Sequence, residues 1–229
     1  MKTKKVFFSE LAYALGILAL AFGTALMERA DFGLSMVVAP AYLLHLKLSQ
    51  TIEVFSFGMA EYCLQAALLI ALCLILRRGK AAYLFSFVTA VIYGYSLDAM
   101  MALAGLLPQA GIAMRIACYL FGMGFCAAGV SLLFHTYISP EAYELFVKEI
   151  AAQTGKAIPF VKTVYDCASC LAGVAMSFAF FGVGRFEGVK LGTILCALVN
   201  GFLIGRCSAF FEAIFDFKDA LPLRGRFEA

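Results

Sequence analysis

Apolar residues run through this chain in six long stretches, at roughly 9–27, 54–76, 81–106, 114–135, 159–183 and 191–215. Each is close to the ~20 residues an α-helix needs to cross the hydrocarbon core of a bilayer. The pattern therefore predicts six spanning helices. Two further stretches break it. Residues 32–47 are apolar but short, with Pro40 inside, which predicts a re-entrant or interfacial segment whose start Asp31 or Ser35 caps. Residues 139–155 carry the punctuation of a helix: Ser139 at the N-cap, Pro140 at the first helical position, Glu141 next and Gly155 at the end. Glu144 and Lys148 form an i,i+4 pair, and Ala142, Leu145, Phe146 and Ile150 form one apolar face. An amphipathic helix of this kind lies on the surface or dips partway and does not span.

The two breaks echo each other. Gly23 to Met36 ends one apolar run and opens a shorter segment, and Gly129 to Ala142 does the same. In that alignment Gly23 matches Gly129, Arg29 matches His135 and Asp31 matches Tyr137. The echo continues from Val54–Gly58 to Ala157–Val161 and from Phe87–Gly94 to Ile194–Gly201. Each unit then holds three spans and one broken segment. Three is odd, so the second unit runs inverted relative to the first, as in many secondary transporters. The expected architecture is all-α and integral to the membrane. About six transmembrane helices form two three-helix inverted repeats (9–106 and 114–217), each with a broken or interfacial half-helix. All of it makes one membrane domain over 1–229, with a polar, basic tail at 218–229.

Composition agrees with this pattern. The 229 residues are 63% hydrophobic and 14% charged, where soluble domains hold about 45–50% and about 25%. Lipid is the expected partner of so much apolar surface. The net charge of +3 is small, with Lys and Arg grouped at loop edges in runs 2–5, 77–80, 148–162 and 218–226. That grouping predicts both ends on the cytoplasmic side of a bacterial inner membrane and gives no footprint for nucleic acid. The N-terminal run has no small-residue cleavage site and is expected to remain as the first anchor. The eight Cys lie in or at the ends of apolar runs, which argues against a disulfide framework. Small residues four apart, Ala12/Gly16 and Ala19/Gly23, suit close helix packing and make a homodimer possible.

Two segments resemble the YczE/YyaS/YitT family of bacterial multipass membrane proteins. One is the end of the first helix, Gly23-Thr-Ala-Leu-Met-Glu-Arg-Ala-Asp-Phe-Gly-Leu-Ser35, where that family has an Arg/Lys-Ala-Asp-Leu-Gly-like turn. The other is Lys190-Leu-Gly-Thr-Ile-Leu-Cys-Ala-Leu-Val-Asn-Gly-Phe-Leu-Ile-Gly205, similar to a glycine-spaced segment of the family. The second copy of the turn, His135-Thr-Tyr-Ile-Ser139, lacks the Arg-Ala-Asp pattern. The resemblance implies architecture more than activity.

An ionisable side chain at membrane depth costs about 2.5–3.5 kcal/mol on insertion scales, so it marks a candidate pathway. Glu61, Asp98 and Asp166 are the first candidates. Glu28, Arg29 and Asp31 pair with one another or face a cavity at the first break, and His135 and Tyr137 occupy the matching place in the second. Asn200 adds a polar group to the last helix. Cys167 and Cys170 put two thiols on one helix face beside Asp166, a weak soft-metal pattern; no metal site or cofactor is otherwise expected. There is no Gly-x-Ser-x-Gly, His-Glu-x-x-His or Walker loop, so no enzyme of those classes is expected. The leading expectation is a small secondary transporter or channel for a polar small molecule or ion, with Glu61 and Asp166 coupling to a proton or cation. The rival expectations are a substrate-capture subunit of a larger importer and a non-transporting accessory or scaffold protein.

Overall fold

The computed structural model describes residues 4–77, 79–108, 111–156, 158–222 and 224. Lys2, Arg78 and Arg226 of the predicted basic runs, Gln109 and Ala110 of the predicted turn, Ala157 of the second echo and the tail beyond 224 lie outside the described residues.

All six long apolar runs are helices: α1 (Ser9–Ala30), α3 (Phe57–Leu76), α4 (Ala81–Gly105), α5 (Ile112–Phe134), α7 (Ile158–Phe181) and α8 (Leu191–Ile214). Each is long and apolar enough to cross a bilayer. Two short helices, α2 (Ala39–Leu48) and α6 (Ala142–Thr154), follow the breaks after α1 and α5. The chain is a multipass helical membrane protein.

The pair α1–α5 is the axis of the bundle, and glycine makes it possible. A Cβ added to Gly23 would lie 2.6 Å from the Gly122 carbonyl, and one added to Gly129 would lie 2.7 Å from the Gly16 carbonyl. Gly16 therefore faces Gly129 and Gly23 faces Gly122, so the two helices run antiparallel with their backbones in contact. The small face of α1 that suited a dimer is used within the chain. Around this axis α4 packs on α1 and α8 packs on α5; α2 packs on α3 and α7, and α6 packs on α7, α3 and α4. The α3 and α4 helices are also in close contact, whereas α7 and α8 diverge around a cavity that both line.

Several local expectations are corrected. Asp31 does not cap α2: it ends α1 in the left-handed region (φ 56°), its N–H bonded to the Glu28 carbonyl. The helix α2 begins only at Ala39, without a side-chain cap, and Pro40 lies in its first turn, where its missing N–H costs no helix bond. Likewise α6 starts at Ala142 rather than at Pro140. The reason is that α4 holds the preceding carbonyls: Ser86 Oγ donates to Pro140 O (2.7 Å) and Thr89 Oγ1 donates to Ser139 O (3.0 Å). That pulls the break into the bundle: of the two expected placements α6 dips in, burying Ala142, Tyr143, Leu145, Val147 and Ala151 and packing the expected face of Ala142, Leu145, Phe146 and Ile150 on its neighbours. Finally, the junction between α8 and the expected tail is a strand. Lys5–Phe8 (β1) and Phe215–Lys218 (β2) pair in parallel, with Lys5 opposite Phe215. The two ends of the bundle chain thus meet at one end of the molecule.

Candidate functional site

The residues just before α2 (Ser35–Val38) and just before α6 (Pro140, Glu141) face the same cavity of about 500 Å³. Both half-helices therefore point their N-termini, where unpaired N–H groups concentrate, toward one internal space. Thr24 of α1, Tyr93 of α4 and Cys126 of α5 form its back wall. The open sides come from α7, with Lys162 and Asp166, and from α8, with Cys196 and Asn200. Tyr143 and Glu144 of α6 complete the polar lining.

Charge in this region is dominated by carboxylates. Lys162 Nζ lies 3.1 Å from Asp166 Oδ1 and 3.3 Å from Glu144 Oε1, so one cation serves two acids. Behind them, Glu61 and Gln65 of α3 are both 0% exposed. Gln65 Nε2 donates long hydrogen bonds to Glu61 Oε2 (3.4 Å) and Glu141 Oε2 (3.5 Å). The amide is held in that orientation because Ala142 N–H donates to Gln65 Oε1 (3.1 Å). Tyr143 O–H donates to Glu61 Oε2 (2.8 Å). One oxygen of each acid, Glu61 Oε1 and Glu141 Oε1, is buried and accepts no hydrogen bond from the described residues, and neither does Asn200 Oδ1. Burial, and then the neighbouring Glu61, push the Glu141 carboxyl up to about 8.

The sequence candidates separate into four places. Glu61, Asp166 and Asn200 are at or beside the cavity. Asp98 is elsewhere, at the start of α3: its carboxylate accepts from Gly58 N–H (2.7 Å) and from Ser56 Oγ (2.5 Å), and Ser56 in turn caps Met59 N. Glu28, Arg29 and Asp31 lie at the end of α1 and do not bond to one another's side chains among the described residues. Glu28 accepts from Tyr42 O–H, Arg29 donates to the Leu107 carbonyl (2.6 Å), and Asp31 pairs with Arg115 and Lys190. His135 and Tyr137 sit at the opposite end of the antiparallel α1–α5 pair. His135 Nε2 contacts Glu212 Oε1 (3.0 Å) and its ring stacks on Phe217, while Tyr137 O–H donates to Glu10 Oε1 (2.7 Å). Cys167 is exposed on α7 and Cys170 is half-buried, and among the described residues no three metal-type ligands cluster.

Among the residues of the site not singled out from the sequence as candidates are Gln65, Glu141, Tyr143, Glu144 and Lys162. Glu141 follows Ser139-Pro140 and so looks like an ordinary first-turn acid of a surface helix. The usable signal was the match of this break to the one before α2.

A six-span helical membrane protein with two broken segments around a polar cavity is the class these observations define. Within that class the match is specific: the model of a family of unknown function, DUF6198, covers residues 7–209, and the chain belongs to that family. No curated protein and no solved structure matches it.

Proposed function

We propose that the protein is a small secondary transporter for a polar small molecule or ion, built from two inverted repeats of one three-span unit. The observation that carries this reading is the convergence of both chain breaks and a set of intramembrane acids on a single cavity. Unwound backbone is tolerated inside a bilayer where it lines such a space. The repeat is supported by the way helix pairs exchange. A shift of 106 residues maps Gly16 onto Gly122 and Gly23 onto Gly129, and it turns the contact Gly16–Gly129 into the contact Gly122–Gly23. The same exchange relates α2–α7 to α6–α3 and α1–α4 to α5–α8. Kinship with the YczE/YyaS/YitT-like proteins belongs to this reading, on the segments 23–35 and 190–205.

In this account the substrate occupies the space between α7 and α8, and Asp166, with Lys162, is the polar anchor on its wall. Net negative lining suits a cation or a zwitterion better than an anion, because Glu144 and Asp166 outnumber Lys162 even with Glu141 left out. A multipass protein with basic runs at one side is expected in the bacterial inner membrane with both ends cytoplasmic.

The test is transport by the purified protein in liposomes loaded with a pH-sensitive dye. Small inorganic cations, amines and amino acids would be added outside in turn. The expected result is a substrate-dependent pH change inside that Asp166→Asn abolishes without lowering the yield of folded protein. An unchanged response in Asp166→Asn, or no response together with no ligand-dependent thermal stabilisation, would overturn the reading.

A further inference from the structure

We propose that Glu61 and Glu141, joined through Gln65, form a binding site for one proton that meets the cavity at Glu141 and at the Tyr143 hydroxyl.

The ligand set selects a proton over a metal cation. An inorganic cation between two carboxylates needs oxygen atoms around it. Here the group between them is the Gln65 amide NH₂, a donor that repels a cation. The amide cannot present its oxygen instead, since Ala142 N–H fixes that oxygen on the other side. Tyr143 also offers its O–H to Glu61. A site made of donors accommodates negative charge, and it holds one negative charge much better than two.

The surrounding charges leave this balance intact. On α6, Glu144 adds further negative charge beside Glu141. On α7, Lys162 is the cation that acts on Glu141, and it is shared with Glu144 and Asp166. Tyr13 of α1, Tyr93 of α4, Cys126 of α5, Tyr143 of α6 and Tyr165 of α7 also face the pair. Phenols and thiols are uncharged near neutral pH. The pair is thus left with about two formal negative charges in a buried setting and without a cation of its own. One bound proton reduces that to a single charge, spread over oxygens that Gln65 and Tyr143 bond.

Access gives the site its direction. Glu141 lines the cavity, whereas Glu61 is 0% exposed behind Gln65 and Tyr143. Tyr143, which lines the cavity and bonds Glu61 through its hydroxyl, is the second point of contact, and a cation held against Glu141 in the cavity opposes protonation there. The proposal rests on the transporter reading for its use, but not for its existence.

The experiment is infrared difference spectroscopy of the full-length protein in lipid at neutral pH, which reads the C=O stretch of a protonated carboxyl without any substrate. Native protein minus Glu61→Gln, and native minus Glu141→Gln, are each expected to contain a carboxylic-acid band that shifts in heavy water. Gln65→Met, which removes the bridge, is expected to move the band, and it keeps the test open if either glutamine variant fails to fold. Absence of the band from both differences overturns the site. A band lost in one variant and unmoved in the other two places the proton on an isolated carboxyl and overturns the sharing. If the liposome assay shows no transport, a band found as expected leaves the site standing while the transporter reading falls; transport without the band does the reverse.

Discussion

Gly58 of α3 and Gly94 of α4 meet backbone to backbone: a Cβ on Gly94 would lie 2.7 Å from the Gly58 carbonyl, and one on Gly58 would overlap the Gly94 carbonyl. The matching positions of the second unit are Val161 and Gly201. A Cβ on Gly201 meets nothing within 4 Å, and Gly201 lines the cavity instead. Where the first unit is closed by two glycines, the second carries a β-branched side chain on α7 and stands open. The cavity lies in the gap that results.

This contrast predicts unequal responses to one added methyl. Gly94→Ala forces backbone apart and is expected to destabilise by about 1–3 kcal/mol, the range for overpacked sites. Gly201→Ala has room and is expected to be within about 0.5 kcal/mol of native, as for substitutions that touch nothing. Thermal unfolding of both variants in the same detergent measures the difference. Equal losses would mean that α7 and α8 approach each other as closely as α3 and α4 do.

Asp98 is expected to act as a cap and not as a pathway residue. Its carboxylate accepts the Gly58 N–H at 2.7 Å and the Ser56 hydroxyl, at the N-terminus of α3. Asp98→Ala should therefore lower stability by about 1–2 kcal/mol, the usual loss for a helix cap. The liposome transport described above should survive in the protein that remains folded. A variant with native stability and no transport would return Asp98 to the pathway.

How much of this could be seen in the chain depends on what each residue does. The six spans were visible because lipid imposes ~20 apolar residues in succession, a demand that no packing detail overrides. Glu61 and Asp166 were visible for the converse reason, as acids inside such runs. Gln65 and Tyr143 were not, since neither is charged in water and both suit an ordinary helix. Glu141 was hidden by context: the Ser-Pro-Glu sequence is also how exposed helices begin, and only the hydroxyls of Ser86 and Thr89, distant in sequence, draw this break inward. The pairing of β1 with β2 was equally silent, because four residues with Val6 and Phe8 exposed leave no alternation to detect.

Lys162 is expected to be held by its two acids and to hold them. Removing one partner of a fully buried ion pair costs about 3–5 kcal/mol. Here the side chains of Lys162, Asp166 and Glu144 are 31%, 24% and 26% exposed, toward the cavity, so solvent screening reduces the expected loss in Lys162→Met to about 1–3 kcal/mol. The double variant Lys162→Met/Asp166→Asn leaves one acid fewer unpaired and should recover part of that loss. The coupling is read from the thermal midpoints of the two single variants and the double. Strict additivity would show that Asp166 does not need Lys162, and the cavity wall would then carry its acids independently.

Glu141 makes stability depend on pH in a defined direction. Its carboxyl lies at about 8 in the folded protein, raised by burial and by Glu61 from an ordinary value of 4.5. Between those two values the folded state binds the proton more tightly than the unfolded state does. Stability contributed by this group is therefore fully present below the unfolded value, declines as pH rises through the window, and is lost above about 8. The thermal midpoint of the native protein should fall from pH 5 to pH 9. Glu141→Gln, which is neutral throughout, should fall less over the same range, and the difference between the two curves isolates this side chain from the exposed acids. Parallel curves would mean that Glu141 is already ionised in the folded state, with Lys162 as its counterion in place of a proton.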